Sequence, residues 1–469
     1  MHEKRQSMNS LQAFIHTLGY ADLPLPVRRQ AQRCLLDTLG VALAGRKIAL
    51  SEIIHAFSVA VYPGQGACLW LDGREVSPPG AALANGMTID AFDAHDGQVL
   101  AKGHAGAAII PSALALAAAS GRAVSGRELL LSIVIGYEIA LRAGITLHAT
   151  ACDYHTSGAW NAVGAAALGA RSLRLDPEQT RHALGIAEYL APRSQMMRCI
   201  DHPTMLKDGS GWGAMTGLSA AFLGRSGFTG APALTVEDPK QQEIWSDLGS
   251  RWLILEQYFK PYAICRWAQP AVEGARHLKN TSGLDPEQIK TIEVRTFHEA
   301  VCLNQPFPQS TEAAQYSLPF PLAALLVYDR LGADQLSGRA LRDERVLTLA
   351  GRVQLIDDPD MSAAFPAKRS ARVRITLHSG ECFDSGQVQA GWDAEHPPTN
   401  EELSRKFSRL VEYQLSAQRA QALQQTIWNC EHLEDVQALT ALVHPPRDMD
   451  NFSFQIAPMR CAHEQPLPI

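Results

Sequence analysis

ARVRITLH, Ala371–His378, decides the fold class by its contrast with almost everything before it. Val373, Ile375 and Leu377 alternate with Arg372, Arg374 and Thr376, the period-two pattern of a half-buried strand. SGECFDSGQV, Ser379–Val388, extends the pattern as a hairpin. Upstream, IKTIEVRTF (Ile289–Phe297) alternates around Ile292 and Val294, and an apolar helix is expected in PFPLAALLVYDRL, Pro319–Leu331. These pieces form a small α+β unit over residues 267–396, ended by the polar, Pro-containing break DAEHPPTNEE.

On either side the period is helical. Leu11, Phe14, Ile15 and Leu18 share one face of a helix expected to begin near Ser10, and Pro24 and Pro26 break it. Val27, Ala31, Cys34, Leu35 and Leu39 mark a second helix running to Gly45, and Ser51 is placed to cap a third. ACLWL, Asp72-Gly73 and REV read as a small hairpin around a turn-forming pair. Pro78-Pro79 opens a helix that delivers Asp90 and Asp93 to its end. Ser125 and Glu128 read as a capping box, and Asp176-Pro177 as an N-cap followed by proline at the first helical position. Small residues recur at helical spacing through Gly224. Thr399 and Glu402 cap a renewed helix carrying Leu403, Phe407, Leu410 and Val411, and helical pattern persists to Val443, with an irregular tail past Pro445. The expected architecture is mainly α: a helical domain from both chain ends, residues 1–266 and 397–469, with the α+β unit inserted.

The totals narrow the function. Length 469 suits two domains, and 46% hydrophobic against 19% charged residues describes a well-packed globular protein. A net charge of −6 leaves no basic surplus for nucleic acid. The nine cysteines form no CxxC pair and read as reduced thiols. The first residues, MHEKRQSMNSLQAF, show no secretion signal, and apolar runs such as Leu129–Ile135 fall short of a membrane span. A cytoplasmic location without membrane contact is expected.

Asp90–Pro111, DAFDAHDGQVLAKGHAGAAIIP, packs three aspartates, two histidines and a lysine ahead of an Ala-rich helix. Asp93, His95, Asp96 and His104 could tune one another for acid/base work. The same group could be a metal site or a solvated loop, and its spacing matches no metal motif. His155 heads another helix, where a lone histidine is more often structural. Lys207 lies in the glycine-rich TMLKDGSGWGAM. Lys260 and Arg266 stand where helical pattern gives way to strand pattern, and could clamp carboxylates. GxxxxGK[ST], strand-bound GxGxxG, GxSxG and HExxH are all absent.

Five blocks in order resemble the MmgE/PrpD family: DAFDAHD with GHAGAAIIPSALALA, YHTSGAWNAVGAAAL, LKDGSGWGAM with AAFLGRSGFTG, FKPYAICRWAQPAV, and AAQYSLPFPLAALL. That family includes 2-methylcitrate dehydratase, cis-aconitate decarboxylase and an iminodisuccinate epimerase. The resemblance implies an α+β lid over a helical domain, a homodimer formed through that domain, and a site between the two that uses neither metal nor organic cofactor. Asp93, His104, His155, Lys207 and Lys260 match the family's site residues, Arg266 falls in its CR pair, and His95 adjoins them. Gln269 replaces a histidine common in members, Phe320 replaces a tyrosine, and the segment after Lys207 lacks the usual histidine. Glutamine shuttles no proton at neutral pH and phenylalanine has no hydroxyl to donate. The resemblance implies a lyase of a small di- or tricarboxylic acid, 2-methylcitrate dehydratase-like. The alternatives are an epimerase or isomerase, which the two replacements favour, a cis-aconitate-type decarboxylase, and a non-catalytic carboxylate-binding protein.

Overall fold

A computed structural model describes residues 11–444, so the tail past Pro445 and the helix start near Ser10 lie outside the described residues. Helix α1 (residues 11–17) leads to α2 (Leu25–Gly45), with Pro24 as its N-cap and Pro26 in its first turn, where a missing N–H costs nothing. In α3 (Ala49–Val61), Ser51 is inside the helix rather than capping it. Its hydroxyl donates to the Gly45 carbonyl, tying α3 back to α2. Strands β1 (Ala67–Cys68) and β2 (Glu75–Val76) pair antiparallel, with Gly73 at φ 80° in the turn. Then α4 (Pro78–Ala91), capped by Ser77, leads to β3 (Gly97–Gln98) and α5 (Gly106–Ala118).

Helix α6 (Gly126–Thr150) is 25 residues long and, among the described helices, is the one long and apolar enough to cross a membrane. This corrects the sequence reading, which counted only Leu129–Ile135. The charges that interrupt the run, Glu138 and Arg142, sit one turn apart and pair at 2.6 Å inside the protein. The most apolar window of α6 is 89% buried. Ser125 caps α6 by accepting from the Glu128 N–H, but the Glu128 carboxylate turns to Arg171 at 3.1 Å instead of closing the capping box.

Helices α7 (Gly158–Ser172), α8 (Pro177–Leu190), α9 (Met196–Asp201) and α10 (Ser210–Arg225) follow, and Asp176 caps α8 as its sequence implies. Alanine and glycine let α7 and α10 lie close. Each fully buried leucine or valine added around them contributes about 1.5–3 kcal/mol. Short helices α11 (Leu234–Glu237) and α12 (Gln242–Ser246) lead to β4 (Gln257–Tyr258), which pairs with β3.

After α13 (Gln269–Ser282) comes β5 (Ile289–Thr296), then the helices α14 (His298–Val301), α15 (Thr311–Gln315), α16 (Pro319–Tyr328) and α17 (Glu344–Ala350). Strand β6 (Val353–Asp357), α18 (Pro359–Ala364), β7 (Ser370–Leu377) and β8 (Cys382–Gln389) complete a four-stranded sheet in the order β6-β5-β7-β8. The register sets Ile292 opposite Ile375 and Val294 opposite Val373, all buried, with α13 packed on β7 at Val373. Arg372 and Arg374 point outward to Asp384. Strand β6 pairs parallel to β5 and escaped the sequence reading, because its residues are only half-buried and VQLID does not alternate.

Helices α19 (Asn400–Val411), α20 (Ala417–Trp428) and α21 (Gln437–Thr440) return to the N-terminal helices. Thr399 and Glu402 close the capping box of α19. Phe407 packs against Gly40 of α2, and the Lys406 ammonium donates to Asp37 at 2.6 Å and to the Ala94 carbonyl at 2.6 Å. One apolar core runs continuously from the N-terminal helices through the sheet.

Candidate active site

The segment after α4 stays irregular because it is pinned at several points. Asp90, in the last turn of α4, accepts the Ser210 N–H at 2.8 Å at the start of α10. Pairing of β3 with β4 sets Gly97 opposite Tyr258. A Cβ on Gly97 would lie 2.5 Å from the Tyr258 hydroxyl and 2.7 Å from His104 Nδ1, so only glycine lets both rings approach. Two residues past β4, the Lys260 ammonium donates to Asp93 Oδ1 at 2.5 Å and to the Asp93 carbonyl at 3.3 Å.

His104 is fixed at both ends. Its backbone N–H donates to Ser157 Oγ at 3.0 Å, and Asn161 donates to its carbonyl at 2.9 Å. Ring Nδ1 lies 2.6 Å from the Asp96 carbonyl, which only accepts, so Nδ1 carries the proton and Nε2 presents a lone pair. Burial and the adjacent Lys260 ammonium push its pKa down to about 3. The His95 ring stands edge-on to it, centroids 4.3 Å apart, with Nε2 3.6 Å from Asp90 and 3.8 Å from Asp93. Burial, then the His104 ring, lowers His95 too. Burial by itself would raise Asp93, but Lys260 and then Lys207 hold it below the usual carboxylate range. Donor atoms of Asp93, His95 and His104 fall within 4.8 Å of one another, a spacing that could suit a metal ion. The Lys260 ammonium already occupies Asp93 Oδ1 and would repel a cation there.

Lys207 enters from the loop before α10 with φ 50°, a left-handed conformation that lysine seldom adopts and that is typical of functional loops. Its ammonium donates to Gln315 Oε1 at 2.5 Å and lies 4.5 Å from the Tyr316 ring centroid. Gln315 in turn donates to the Ala91 carbonyl at 3.0 Å, joining α15 to the end of α4. Next to Lys207, Asp208 accepts from the Ser157 hydroxyl. Burial, then the charge of Asp208, pushes the Asp90 carboxyl well up, so it holds its proton at neutral pH.

Arg266 pairs with Asp393 and donates to the Phe259 and Gly391 carbonyls and to Gln269 Oε1, its guanidinium 4.6 Å from the Tyr258 ring centroid. The Gln269 amide N–H groups go to the Tyr262 and Ile264 carbonyls, so both ends of this side chain hold the junction together. Phe320 is fully buried in α16. His155 faces a different neighbour: its backbone N–H donates to His148 Nε2 at 3.1 Å and the two rings stack 6.4 Å apart. Among the described residues no hydrogen bond, ion pair or ring contact joins His155 to Asp93, His104 or Lys260. Burial, then the charge of Arg193, lowers its pKa.

The structure thus gathers Asp93, His95, His104 and Lys260, adds Lys207 and Arg266, and leaves His155 and Phe320 outside direct contact. Sequence reasoning passed over Gln315 and Tyr316, although AAQYSLP contains them, and over Asp208, Ser157 and Tyr258, each within two residues of a residue it chose. Asp93, His95, Lys207, Lys260 and Arg266 are each 4% exposed or less, whereas His104 is only partly buried. A cavity of about 1360 Å³ lies elsewhere, lined by His16, Glu128, Arg171 and Phe222 and by none of these residues.

The MmgE/PrpD N-terminal domain model matches residues 9–241 and the MmgE/PrpD C-terminal domain model residues 262–432. A cis-aconitate decarboxylase-like protein of Aspergillus oryzae is 23% identical, over 92% of this chain and 95% of its own length. A cis-aconitate decarboxylase of Homo sapiens is 27% identical, over 92% and 93%. A 2-methylcitrate dehydratase of Cupriavidus necator is 32% identical over 26% of this chain and 27% of its own. With both domain models matched in order across most of its length, the chain belongs to the MmgE/PrpD family.

Proposed function

We propose that the protein is a lyase of a small polycarboxylic acid that moves a proton at the carbon beside a carboxylate. The observation that carries this reading is His104, whose Nδ1 is committed to the Asp96 carbonyl while Nε2 is bare beside buried ammonium groups. Such a nitrogen can take or return a proton, and the cations stabilise the enediolate-like charge that develops. His104 is the acid/base. Lys207 binds a substrate carboxylate. Asp93 and Lys260 hold one another and set the field, and Arg266 with Gln269 keeps the junction closed. His155 serves from one layer further out. The site's own proton carriers make it unnecessary to explain Gln269 and Phe320 by a lost donor, which weakens the epimerase alternative.

Decarboxylation of a cis-aconitate-like acid is the first reading, because the relatives matched over 92% of the chain bear that name. There the C–C bond to one carboxylate breaks, CO2 leaves, and its electron pair forms a C–H bond with a proton delivered by the protonated Asp90 carboxyl. Dehydration of a 2-methylcitrate-like acid is the second, favoured by Asp90. His104 removes the C–H proton, the pair forms a C=C bond, and the departing hydroxide takes the Asp90 proton to leave as water.

Proton NMR in D2O with cis-aconitate, 2-methylcitrate and succinate-like acids tests the class. Evolved CO2 with a new alkene supports the first reading, and an alkene without CO2 the second. Deuterium exchange alone would return the epimerase reading, and no change with any acid would leave a carboxylate-binding protein.

A further inference from the structure

Six cationic side chains are buried among the described residues, and they divide unequally. Arg142 pairs with Glu138, Lys260 with Asp93, Arg266 with Asp393 and Lys406 with Asp37. Lys207 and Arg369 have no carboxylate partner among the described residues. A buried charge without its opposite is strongly unfavourable, so an unpaired one at a site implies that a ligand brings the missing charge.

Arg369 stands immediately before β7. Its Nε is buried without a hydrogen-bond partner, and the whole residue is 9% exposed. Its guanidinium carbon lies 5.8 Å from the Tyr258 ring centroid and 5.7 Å from that of Phe365. Phe365 is itself stacked on Phe297 at 5.1 Å and edge-on to Trp267 at 6.0 Å, which fixes the head group. Aromatic faces attract a cation, but they accept no fork of N–H donors. The Tyr258 ring that receives Arg369 also meets the His104 ring edge-on, centroids 6.2 Å apart. The charge of Arg369 is felt at His104, Tyr154, Tyr258 and Cys265, and that of Lys207 at Asp93, Asp90 and His95. The two unpaired cations therefore act on adjoining imidazoles, Arg369 on His104 and Lys207 on His95, whose rings are 4.3 Å apart, one cation brought by the sheet and the other by the loop ahead of α10.

We propose that Arg369 is a substrate-binding residue that takes one carboxylate in its planar fork while Lys207 takes another, so that the site selects acids with at least two carboxylates and presents the carbon between them to His104. The inference rests on the lyase reading above and adds to it the residue that sets the carboxylate count.

Calorimetric titration of the full chain with tricarballylate, a saturated tricarboxylate with no hydroxyl to expel, tests it alongside the ligand-free melting temperature. Arg369→Gln is expected to bind about 10- to 100-fold more weakly, the worth of a charged hydrogen-bonded pair. Its ligand-free melting temperature should hold or rise, since an uncompensated buried charge has gone. Arg369→Lys keeps the charge without the fork and should fall between. Binding by Arg369→Gln within threefold of the unaltered protein would overturn the role of Arg369 and leave the lyase reading standing. Loss of binding by both variants together with a large fall in melting temperature would make Arg369 a packing residue. Failure of the unaltered protein to bind tricarballylate at all would sink the polycarboxylate reading, and the Arg369 proposal with it.

Discussion

His104 concentrates the chemistry in a single ring. Replacing it by Gln keeps a donor for the Asp96 carbonyl but removes the basic nitrogen, and turnover should fall by about 10²- to 10⁴-fold with substrate binding largely kept. Steady-state kinetics beside ligand titration checks this, and equal losses in both would make the ring a binding element. Its pKa of about 3 has a consequence for the free enzyme. A base held that low stays unprotonated through mildly acidic solution, so the acid limb of kcat/KM should show no inflection near 6.5. An inflection there would assign the base to a better-solvated imidazole. Gln315 offers a sharper probe of Lys207. Gln315→Glu places a carboxylate where the amide oxygen now sits, 2.5 Å from the ammonium. The mutant supplies internally the charge that the substrate should bring, so KM should rise about tenfold or more, with kcat changed less and the melting temperature kept or raised. An unchanged KM would remove Lys207 from carboxylate binding.

Among the elements, α19 shows how a helix far along the chain supports the site loop. Its apolar face buries Leu403, Phe407 and Val411, and its one buried cation, Lys406, ties Asp37 of α2 to the Ala94 carbonyl between Asp93 and His95. Lys406→Met keeps the volume but strands a buried aspartate. Loss of one partner from such a pair costs about 3–5 kcal/mol, to be read from the denaturant midpoint. Activity should fall with it, because Ala94 loses the group that holds it. A loss under about 1 kcal/mol would mean that Asp37 is readily neutralised or rehydrated. Helix α15 is only five residues long, yet through Gln315 it reaches both Lys207 and the end of α4.

The molecule as a whole carries several ionisable groups at a cost. Asp96 is pushed up to about 7, first by burial and then by the charge of Asp37. A carboxyl whose folded pKa lies above its unfolded value near 3.8 stabilises the fold below that value, and the benefit is lost as pH rises toward 7. Asp96→Asn cannot ionise. The stability of the native chain relative to this variant should therefore fall by about 4 kcal/mol between pH 4 and 7 and level off above. Chemical denaturation across that range checks the sign, and a difference independent of pH would mean that Asp96 is ionised throughout. The same buried environment lowers His104 and keeps its ring neutral.

The sequence by itself determined the helical class, the inserted strands, most helix starts and the family, because period, proline placement and capping residues act over a few neighbours. It also supplied Asp93, His95, His104, Lys207, Lys260 and Arg266, since titratable groups among glycines and alanines stand out in one dimension. Strand β6 and the full reach of α6 escaped it, the one for want of alternation, the other because Glu138 and Arg142 cancel each other only once folded. Charge pairing was equally out of reach, for it depends on which groups meet across hundreds of residues. Lys260 finds Asp93 and Lys406 finds Asp37, whereas Lys207 and Arg369 find no carboxylate among the described residues. No local pattern marks Arg369 within KRSARVR. Only burial in the tertiary structure turns one surface-looking arginine into a charge against the Tyr258 ring with no carboxylate partner among the described residues.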